Sequence, residues 1–481
     1  MTKFDELRNR YSSFRYNDYH IEFNSDSMHI TYDFEIPGLC VFHPAWSFPL
    51  PEGNRVEADD SILKTLVFSL GMAETISYYK AACPKSVVVA CAPLTEFQKK
   101  WWEKLYYNGL GEFMYRNGIE IDEDELVKIE RTFSDNQVKT DCDSLSRDRS
   151  DGFMPGSAGQ LHDLRTYSGF LVPVGGGKDS VVSLELLKNE NIETICIDGT
   201  AGTSSINAVI DICDHKQGSY RMKRTLDRKL IELNKEGFLN GHTPFSAIVA
   251  FSTVIAAYIT GRKYIALSNE TSANESTVPG SFVNHQYSKS FEFEQDFDRY
   301  FESVTDSDIH YFSFLRPLTE IQIAAIFSGF TKYHMAFRSC NRGAKEGIWC
   351  GNCPKCLFVY IILSPFLSED ELVRIFGEKL LDKDSLDKDF RELTGIDENK
   401  PFECVGTRSE VMVALKSFVS SGGRSLLTDR YKNEIIGSDG TLDDMMQSWC
   451  MDNDVPECYQ GLIREALNAA QNTAAGSDIQ L

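Results

Sequence analysis

The residues best suited to chemistry form one string, in which three glycines precede a lysine, an aspartate and a serine: Gly175, Gly176, Gly177, Lys178, Asp179 and Ser180. Glycines let a backbone approach a phosphate closely, and a helix that begins just after them offers unpaired N–H groups and the positive end of its dipole. Lys178 can neutralise phosphate charge, and Ser180 can donate its hydroxyl group. The string therefore predicts a phosphate-binding loop, and the alternative is a glycine-rich turn that binds nothing.

A second string carries four cysteines with the spacing C-x9-C-x2-C-x2-C: Cys340, Cys350, Cys353 and Cys356. Four thiolates satisfy a tetrahedral Zn²⁺ and leave no position for water, which is typical of a structural site. Free cysteines, a redox pair and an iron–sulfur cluster are the alternatives. The spacing predicts a structural zinc site.

The elements around the glycines must place them at the end of a buried strand. Apolar runs predict strands at 170–174, 193–198, 263–268 and 310–315, and helical periodicity predicts helices at 180–188, 205–213, 222–236, 245–259 and 319–327. Strands that alternate with helices predict an α/β fold with a parallel sheet and flanking helices. Ligands of such sheets bind at the carboxyl ends of the strands, where the glycines lie.

The whole chain reads as four consecutive regions. We expect an N-terminal α+β domain at 1–150, a nucleotide-binding domain at 165–335, the four-cysteine element at 336–365 and a helical region at 366–481. Within the first region the pattern predicts a hairpin at 20–36 with its turn at 24–26, a helix at 61–80 capped by Asp60, a strand at 85–91 and a helix from 95 to about 109. The stretch 134–151 reads as a linker, and the tail 472–481 is expected to fray.

Composition narrows the class of function. The chain has 481 residues, a net charge of −22 and 13 cysteines. The acidic excess repels nucleic acid, and the longest apolar stretch, 245–259, contains three hydroxyl residues and is too short to span a bilayer. We therefore expect a cytoplasmic enzyme with reduced thiols and without a nucleic-acid or membrane partner. Its oligomeric state stays open.

The glycine string resembles the S-G-G-x-D-S loop of the PP-loop ATP pyrophosphatases, with Gly175 in place of the first serine, so one hydroxyl donor is missing. The spacing fits neither a Walker A loop nor GxGxxG. The resemblance implies that ATP is cleaved between its α- and β-phosphates, with Mg²⁺ as counter-ion. It also implies that Asp198, Asn269 and Glu270, at or just after predicted strand ends, line the nucleotide site, although Asp198 could equally cap a turn. Asp179, Asp198 and Glu270 are possible Mg²⁺ ligands, which spacing alone does not assign.

Further strings carry a narrower resemblance, and they lie at 107–113, 268–274, 284–290, 338–340 and 401–407. With the glycine loop they resemble the ATP-dependent UDP-N-acetylmuramoyl-L-alanyl-L-glutamate epimerases of bacterial cell-wall synthesis. This family adenylates the α-carboxylate of the terminal L-glutamate, moves its α-proton to the other face and releases AMP, diphosphate and the D-glutamate product. The activation is chemically reasonable, because a free carboxylate resists loss of its α-proton.

The proton must be moved by a group whose pKa lies near neutral. His285 is the first candidate, with Lys289 beside it, and the alternative for His285 is a surface or substrate-binding role. Cys404 is the second, because a thiolate with a lowered pKa can act as a base, and its alternative is a buried structural cysteine. The substrate-binding candidates, whose alternatives are surface charge or packing, are Asn284, Gln286, Tyr287, Ser288, Arg316 and Arg338.

Two other classes of function stay open at this stage. One is a PP-loop enzyme of the 7-cyano-7-deazaguanine synthase or amidating-ligase type, because the cysteine string also resembles the zinc site of those synthases. The other is a non-catalytic nucleotide-binding module that docks a partner through its zinc site. The intact glycine string argues against the second.

Overall fold

The computed structural model describes residues 2–53, 56–131, 160–199, 202–213, 219–278 and 280–477. The strands of this part, in chain order, are β1 Ser13–Phe23, β2 Ser27–Ile36, β3 Cys40–Phe42, β4 Ala45–Pro49, β5 Ser86–Val89, β6 Lys128–Arg131, β7 Phe170–Pro173, β8 Ile192–Asp198, β9 Ser219–Thr225, β10 Tyr264–Leu267 and β11 His310–Ser313.

The helices of the same residues are α1 Lys3–Arg10, α2 Ser61–Tyr79, α3 Glu96–Gly109, α4 Gly111–Arg116, α5 Glu123–Leu126, α6 Lys178–Leu186, α7 Thr203–Ile212, α8 Arg228–Lys235, α9 Phe245–Thr260, α10 Phe291–Val304, α11 Glu320–Ser328, α12 Pro354–Leu363, α13 Glu369–Phe376, α14 Asp387–Thr394, α15 Arg408–Ser420, α16 Leu426–Arg430, α17 Lys432–Ile436, α18 Leu442–Gln447 and α19 Glu457–Ser477. The predicted α/β class and the helical C-terminal region are confirmed.

The chain forms two compact units, and each is assembled from three separate segments. The first contains Met1–Tyr167, Arg221–Lys263 and Gln295–Ile309, and the second contains Ser168–Tyr220, Tyr264–Glu294 and His310–Leu481. Sequence reasoning expected consecutive domains, whereas the structure interleaves the segments because strands and helices distant in sequence pack together.

The first unit is built on a mixed sheet with the strand order β9-β4-β2-β1-β5-β6, and β3 pairs with β2. The predicted hairpin is confirmed: β1 and β2 are antiparallel, and the Asn24 N–H donates to the Ser27 carbonyl oxygen at 2.8 Å across the turn. The expected helix α2 begins at Asp60, whose carboxylate accepts from the Leu63 N–H at 3.0 Å. Its neighbour is the apolar helix α9.

The second unit is built on four parallel strands in the order β11-β10-β7-β8. The chain passes from β7 to β8 on one side and later from β10 to β11 on the other, so the strand order reverses between β7 and β10. The crevice outside the carboxyl ends at such a reversal is where ligands bind in these sheets. The four strands were predicted, since each is a short buried apolar run between turn residues.

One predicted helix is partly wrong. Residues 222–236 were expected to be helical, but the segment begins inside strand β9, which pairs with β4 in antiparallel fashion. Tyr220 and Met222 are buried and Arg221 between them is not, which is the two-residue period of a strand. Helix α8 then starts after Asp227, which caps it.

Two expectations fall at the edges of the described residues. The linker predicted at 134–151 lies outside them. The tail predicted to fray at 472–481 is helical as far as Ser477, and its last four residues lie outside the described part. None of the helices in the described ranges combines the length and hydropathy needed to cross a membrane.

Candidate active site

The glycine loop leaves strand β7 and enters helix α6 at the predicted position. Gly176 has φ +79°, and a Cβ added there would lie 2.7 Å from Ser205 Oγ and 2.9 Å from the Ile206 nitrogen. Only glycine satisfies both demands. Gly175 is exposed and a Cβ there would meet open space, and Gly177 caps α6 without a side-chain hydrogen bond. The first N–H groups of α6 are therefore free of a side-chain cap at this end of the sheet.

Lys178 is buried at the start of α6, and its ammonium contacts two carboxylates, those of Asp179 and Glu320. Burial opposes the charge, but the two carboxylates outweigh it and hold the pKa of Lys178 above its usual value. Burial raises the pKa of Glu320 to about 8, and the nearby Asp179 carboxylate adds to the rise while Lys178 opposes it. In this structure the lysine thus neutralises protein carboxylates.

The other predicted nucleotide residues lie at the same edge of the sheet. Ser180 donates to the Gly177 carbonyl oxygen at 2.9 Å and so stabilises the turn. Asp198 ends β8, and Asn269 and Glu270 follow β10. The Asn269 amide donates to Ser313 Oγ at 3.0 Å, and the Glu270 carboxylate accepts from Ser272 Oγ at 2.9 Å. Asp198 therefore lies on the β8 side of the reversal of strand order, and Asn269 and Glu270 lie on the β10 side.

A thiol, an ammonium and an imidazole meet in the same unit. Lys289 Nζ donates to Cys404 Sγ at 3.3 Å, and the His285 side chain also hydrogen-bonds to this thiol. Burial works against the thiolate, but Lys289 and His285 outweigh it and lower the pKa of Cys404 to about 6. The thiolate in turn is the main cause of the raised pKa of Lys289. The structure therefore brings together all three residues predicted to be catalytic.

The thiol and the glycine loop are electrostatically linked. Burial raises the pKa of Asp179, but Lys178 outweighs it with help from the charges of Lys355 and Lys289, so this pKa lies below its usual value. Lys355 Nζ also contacts the Cys404 carbonyl oxygen. The phosphate-binding candidate and the activated thiol therefore belong to one site.

The predicted substrate residues at 284–288 hold the loop that carries His285 and Lys289. The Asn284 amide donates to the Ala273 carbonyl oxygen at 2.9 Å, and Gln286 Nε2 donates to the Val405 carbonyl oxygen at 3.3 Å. Tyr287 and Ser288 are buried in the short 3₁₀-helix Tyr287–Lys289. The Gln286 contact ties this loop to the residue after Cys404.

Arg316 is fully buried, and its guanidinium donates hydrogen bonds to neighbouring protein groups. It donates to the carbonyl oxygens of Glu270 and Lys289, at 2.6 Å each, and to the Glu294 carboxylate at 3.0 Å. Sequence reasoning expected it to hold substrate carboxylates. The described contacts join two loops of the site, and the substrate role of Arg316 stays a prediction.

Arg338 lies beside the glycine loop. Its backbone N–H donates to the Gly176 carbonyl oxygen at 2.8 Å, and its half-buried guanidinium reaches the Phe337 carbonyl oxygen at 2.6 Å. Burial lowers the pKa of Arg338 below its usual value. This arginine is therefore well placed for a phosphate oxygen.

The four predicted cysteines cluster, and their sulfur atoms all lie within 4.8 Å of one another. The Cys340–Cys353, Cys350–Cys356 and Cys353–Cys356 sulfur pairs are 3.8, 3.7 and 3.4 Å apart. Four sulfurs at about 2.3 Å from a tetrahedral Zn²⁺ would be about 3.8 Å apart. Backbone N–H groups of Gly343 and Cys356 donate to two of them, as expected around thiolates. The donor set fits a zinc ion.

Sequence reasoning missed Glu320, Glu410 and Lys355. Glu410 accepts from the N–H groups of Thr407 and Glu320, at 2.6 and 2.7 Å, and so joins the loop after Cys404 to the start of α11. Thr407 and Glu410 form a capping box, whose T-x-x-E pattern is visible in the sequence. Only the fold reveals that the box contacts Glu320, the partner of Lys178.

A cavity of about 960 Å³ lies elsewhere in the second unit. It is lined by the C-terminal ends of α6 and α11, including Leu186 and Ile326, and by residues of α18 and α19. The glycine loop and Cys404 are not among its lining residues.

The fold and site define an α/β protein with a glycine loop at a reversal of strand order and an activated thiol nearby. The chain belongs to the MurL family: the MurL N-terminal domain matches residues 5–314, and the MurL C-terminal domain matches residues 336–427. The family resemblance read from the sequence is thereby confirmed. No solved structure matches the chain.

Curated relatives carry one name, UDP-N-acetyl-alpha-D-muramoyl-L-alanyl-L-glutamate epimerase. The protein of Xanthomonas oryzae pv. oryzae is 33% identical over 355 residues, which is 72% of this chain and 72% of that protein. Those of Salinispora tropica and a Micromonospora species are 31% and 32% identical, over 87% and 85% of this chain and 87% of each relative.

Gly176→Ala should damage the glycine loop, because the new Cβ meets Ser205 and the backbone is left-handed. We expect it to lower the free energy of unfolding by about 1–3 kcal/mol. Gly175→Ala is the matched control, since its Cβ meets nothing, and should change stability by less than about 0.5 kcal/mol. Chemical denaturation of both variants measures this, and equal losses would contradict the described loop.

Cys404 should react as a thiolate at unusually low pH. The pseudo-first-order rate of its alkylation by iodoacetamide should rise with pH around a midpoint of about 6, because the thiolate forms as pH exceeds the lowered pKa. Lys289→Met should move this midpoint upward, whereas Lys345→Met, at an exposed lysine, should not. Peptide mass spectrometry follows the residue, and a wild-type midpoint near 9 would refute the assignment.

Proposed function

We propose that this chain epimerises the terminal L-glutamate of UDP-N-acetylmuramoyl-L-alanyl-L-glutamate to D-glutamate, and that ATP drives the reaction through an acyl-adenylate. Membership of the MurL family and the named relatives support the epimerase activity. The observation that carries the mechanism is the Cys404 thiol beside Lys289 and His285, in the same unit as the glycine loop.

Activation is needed because the α-proton of a carboxylate is hard to remove: the resulting enolate would carry two negative charges. In the proposed first step, an α-carboxylate oxygen of the glutamate attacks the α-phosphorus of ATP. A new O–P bond forms, the bond to the β-phosphate oxygen breaks, and diphosphate leaves. The mixed anhydride then carries its α-proton next to a carbonyl group that can accept charge.

The glycine loop would hold the phosphates. The exposed Gly175 and the uncapped start of α6 offer backbone N–H groups and the positive end of a helix dipole. Arg338 lies beside them and supplies a further positive charge. Magnesium is proposed as the counter-ion of ATP. The carboxylates that would hold it are those of Asp179 at the start of α6, Asp198 at the end of β8 and Glu270 after β10. It would neutralise charge on the phosphate oxygens.

Cys404 would accept the α-proton at Sγ. Its lowered pKa keeps it deprotonated at neutral pH, and the Lys289 ammonium and the His285 ring fix the position of the sulfur. A proton from water, delivered to the opposite face, gives the D-configuration. A second water then cleaves the acyl–phosphate bond to release AMP and the carboxylate product, and Cys404 returns its proton to solvent. Coupling to ATP makes the epimerisation directional, since the two diastereomers differ little in energy.

The four-cysteine cluster is proposed to bind zinc as a structural ion, because it presents four thiols and no position for water. The proposal also includes membership of the PP-loop superfamily, which the glycine string and the parallel strand order support. ATP and the nucleotide-linked dipeptide are the proposed small-molecule substrates, and a cytoplasmic location fits both.

The alternatives read from the sequence are less well supported. The epimerase reaction gives the Cys404 thiol a role as a base, whereas a non-catalytic docking module needs no titratable cluster. Family membership also favours the epimerase over both.

The direct test is turnover with purified protein, ATP, Mg²⁺ and UDP-N-acetylmuramoyl-L-alanyl-L-glutamate. We expect AMP, diphosphate and the D-glutamate diastereomer in equal amounts, measured by chromatography and chiral amino-acid analysis. Asp179→Asn should reduce the rate by about 10²–10⁴-fold without loss of fold, and Asp439→Asn, at an exposed aspartate of the C-terminal region, is the matched control. Release of ADP, or epimerisation without ATP, would contradict the proposal.

A further inference from the structure

The four-cysteine cluster lies in a segment that contacts both halves of the site. This segment, residues 338–356, is here called the four-cysteine loop. Between Arg338 and Cys353 it contains no helix or strand, although every residue of it is described. Its few internal backbone hydrogen bonds include Ile348 N–H to the Gly343 carbonyl oxygen at 3.0 Å. Such a loop depends on its side chains for a defined conformation.

On one side the four-cysteine loop supports the phosphate-binding candidate. The Arg338 N–H donates to the Gly176 carbonyl oxygen at 2.8 Å, and Ser339 Cβ lies 3.4 Å from a Cβ built on Gly177. Gly347 has φ +66° and approaches Ser204 so closely that a Cβ would lie 2.7 Å from its Oγ. The next residue, Ser205, is the one that packs on Gly176.

On the other side the four-cysteine loop supports the thiol. Lys355, between two of the cysteines, contacts the Cys404 carbonyl oxygen through its ammonium. Asn341, next to Cys340, donates to the Glu403 carboxylate at 2.8 Å. The two ends of the loop therefore hold two consecutive residues of the segment that carries the activated sulfur.

We propose that the metal ion bound by the four cysteines positions both reactive groups, by fixing Arg338 against the glycine loop and Lys355 against Cys404. Arg338 and Lys355 are thus positioning residues that act through Gly176 and Cys404. The reaction that these groups perform is taken from the proposed function. The coupling between the metal ion and the two groups is argued from the contacts described above. Without the ion, four clustered thiols would separate, and the contacts at both ends of the loop would be lost together.

The coupling can be measured on the full chain without the dipeptide substrate. Zinc is the probe, and its content is followed by elemental mass spectrometry while a chelator removes it and added ZnCl₂ restores it. Two readouts are taken at each state: the dissociation constant of ATP and the pH profile of Cys404 alkylation by peptide mapping. We expect metal removal to weaken ATP binding by about 10–100-fold and to move the alkylation midpoint upward, with recovery on reloading. Metal loss that changes neither readout would overturn the proposal.

If the metal-free chain loses its far-ultraviolet circular dichroism, variants that keep the metal decide the matter. Lys355→Met should retain full zinc but shift the alkylation midpoint of Cys404, and Lys345→Met, in the same loop but exposed, should leave it unchanged. An unchanged profile in Lys355→Met overturns the proposal. Because neither readout uses the dipeptide, failure of the epimerase assay with intact coupling would reject the proposed function alone.

Discussion

The contact between the Lys289 ammonium and the Cys404 sulfur is the interaction on which the candidate site depends. A half-buried thiol is ordinarily protonated at neutral pH, because burial penalises the thiolate. Here the adjacent positive charge and the His285 hydrogen bond reverse that preference. The surrounding structure must therefore keep a lysine and a cysteine, 115 residues apart in sequence, at a fixed separation.

Arg316 supplies much of that constraint. Its guanidinium bonds to the carbonyl oxygens of Glu270 and Lys289, so the loop after β10 and the loop with the ammonium share one anchor. Glu294 balances its charge, which matters because an uncompensated buried charge costs about 3–5 kcal/mol. Glu410 anchors the segment that carries the thiol, because its carboxylate accepts from the N–H groups of Thr407 and Glu320. The Lys289 loop and the Cys404 segment are thus each held by a buried ionisable residue.

Local signals predicted much of this arrangement. Three glycines before a lysine and a helix gave the loop between β7 and α6, and short apolar runs gave β8, β10 and β11. The strands β3, β4 and β6 were missed because they have only three to five residues, and β9 was missed because its partner β4 is distant in sequence. The same distinction holds for the residues of the site. Cys404, His285 and Lys289 were identified by residue type and by family resemblance. The Lys178–Glu320 ion pair and the buried contacts of Arg316 were not, because they depend on residues that are distant in sequence.

In the proposed mechanism the glycine loop serves adenylation and the Cys404 thiol serves proton transfer, so the two steps should be separable. The most direct test is to compare wild-type protein with Cys404→Ser in D₂O, measuring ATP–diphosphate exchange and deuterium at the glutamate α-carbon. The account predicts that the variant keeps the dipeptide-dependent exchange within about tenfold, while deuterium incorporation falls by about 10²–10⁴-fold. Undiminished deuterium incorporation by Cys404→Ser would contradict it.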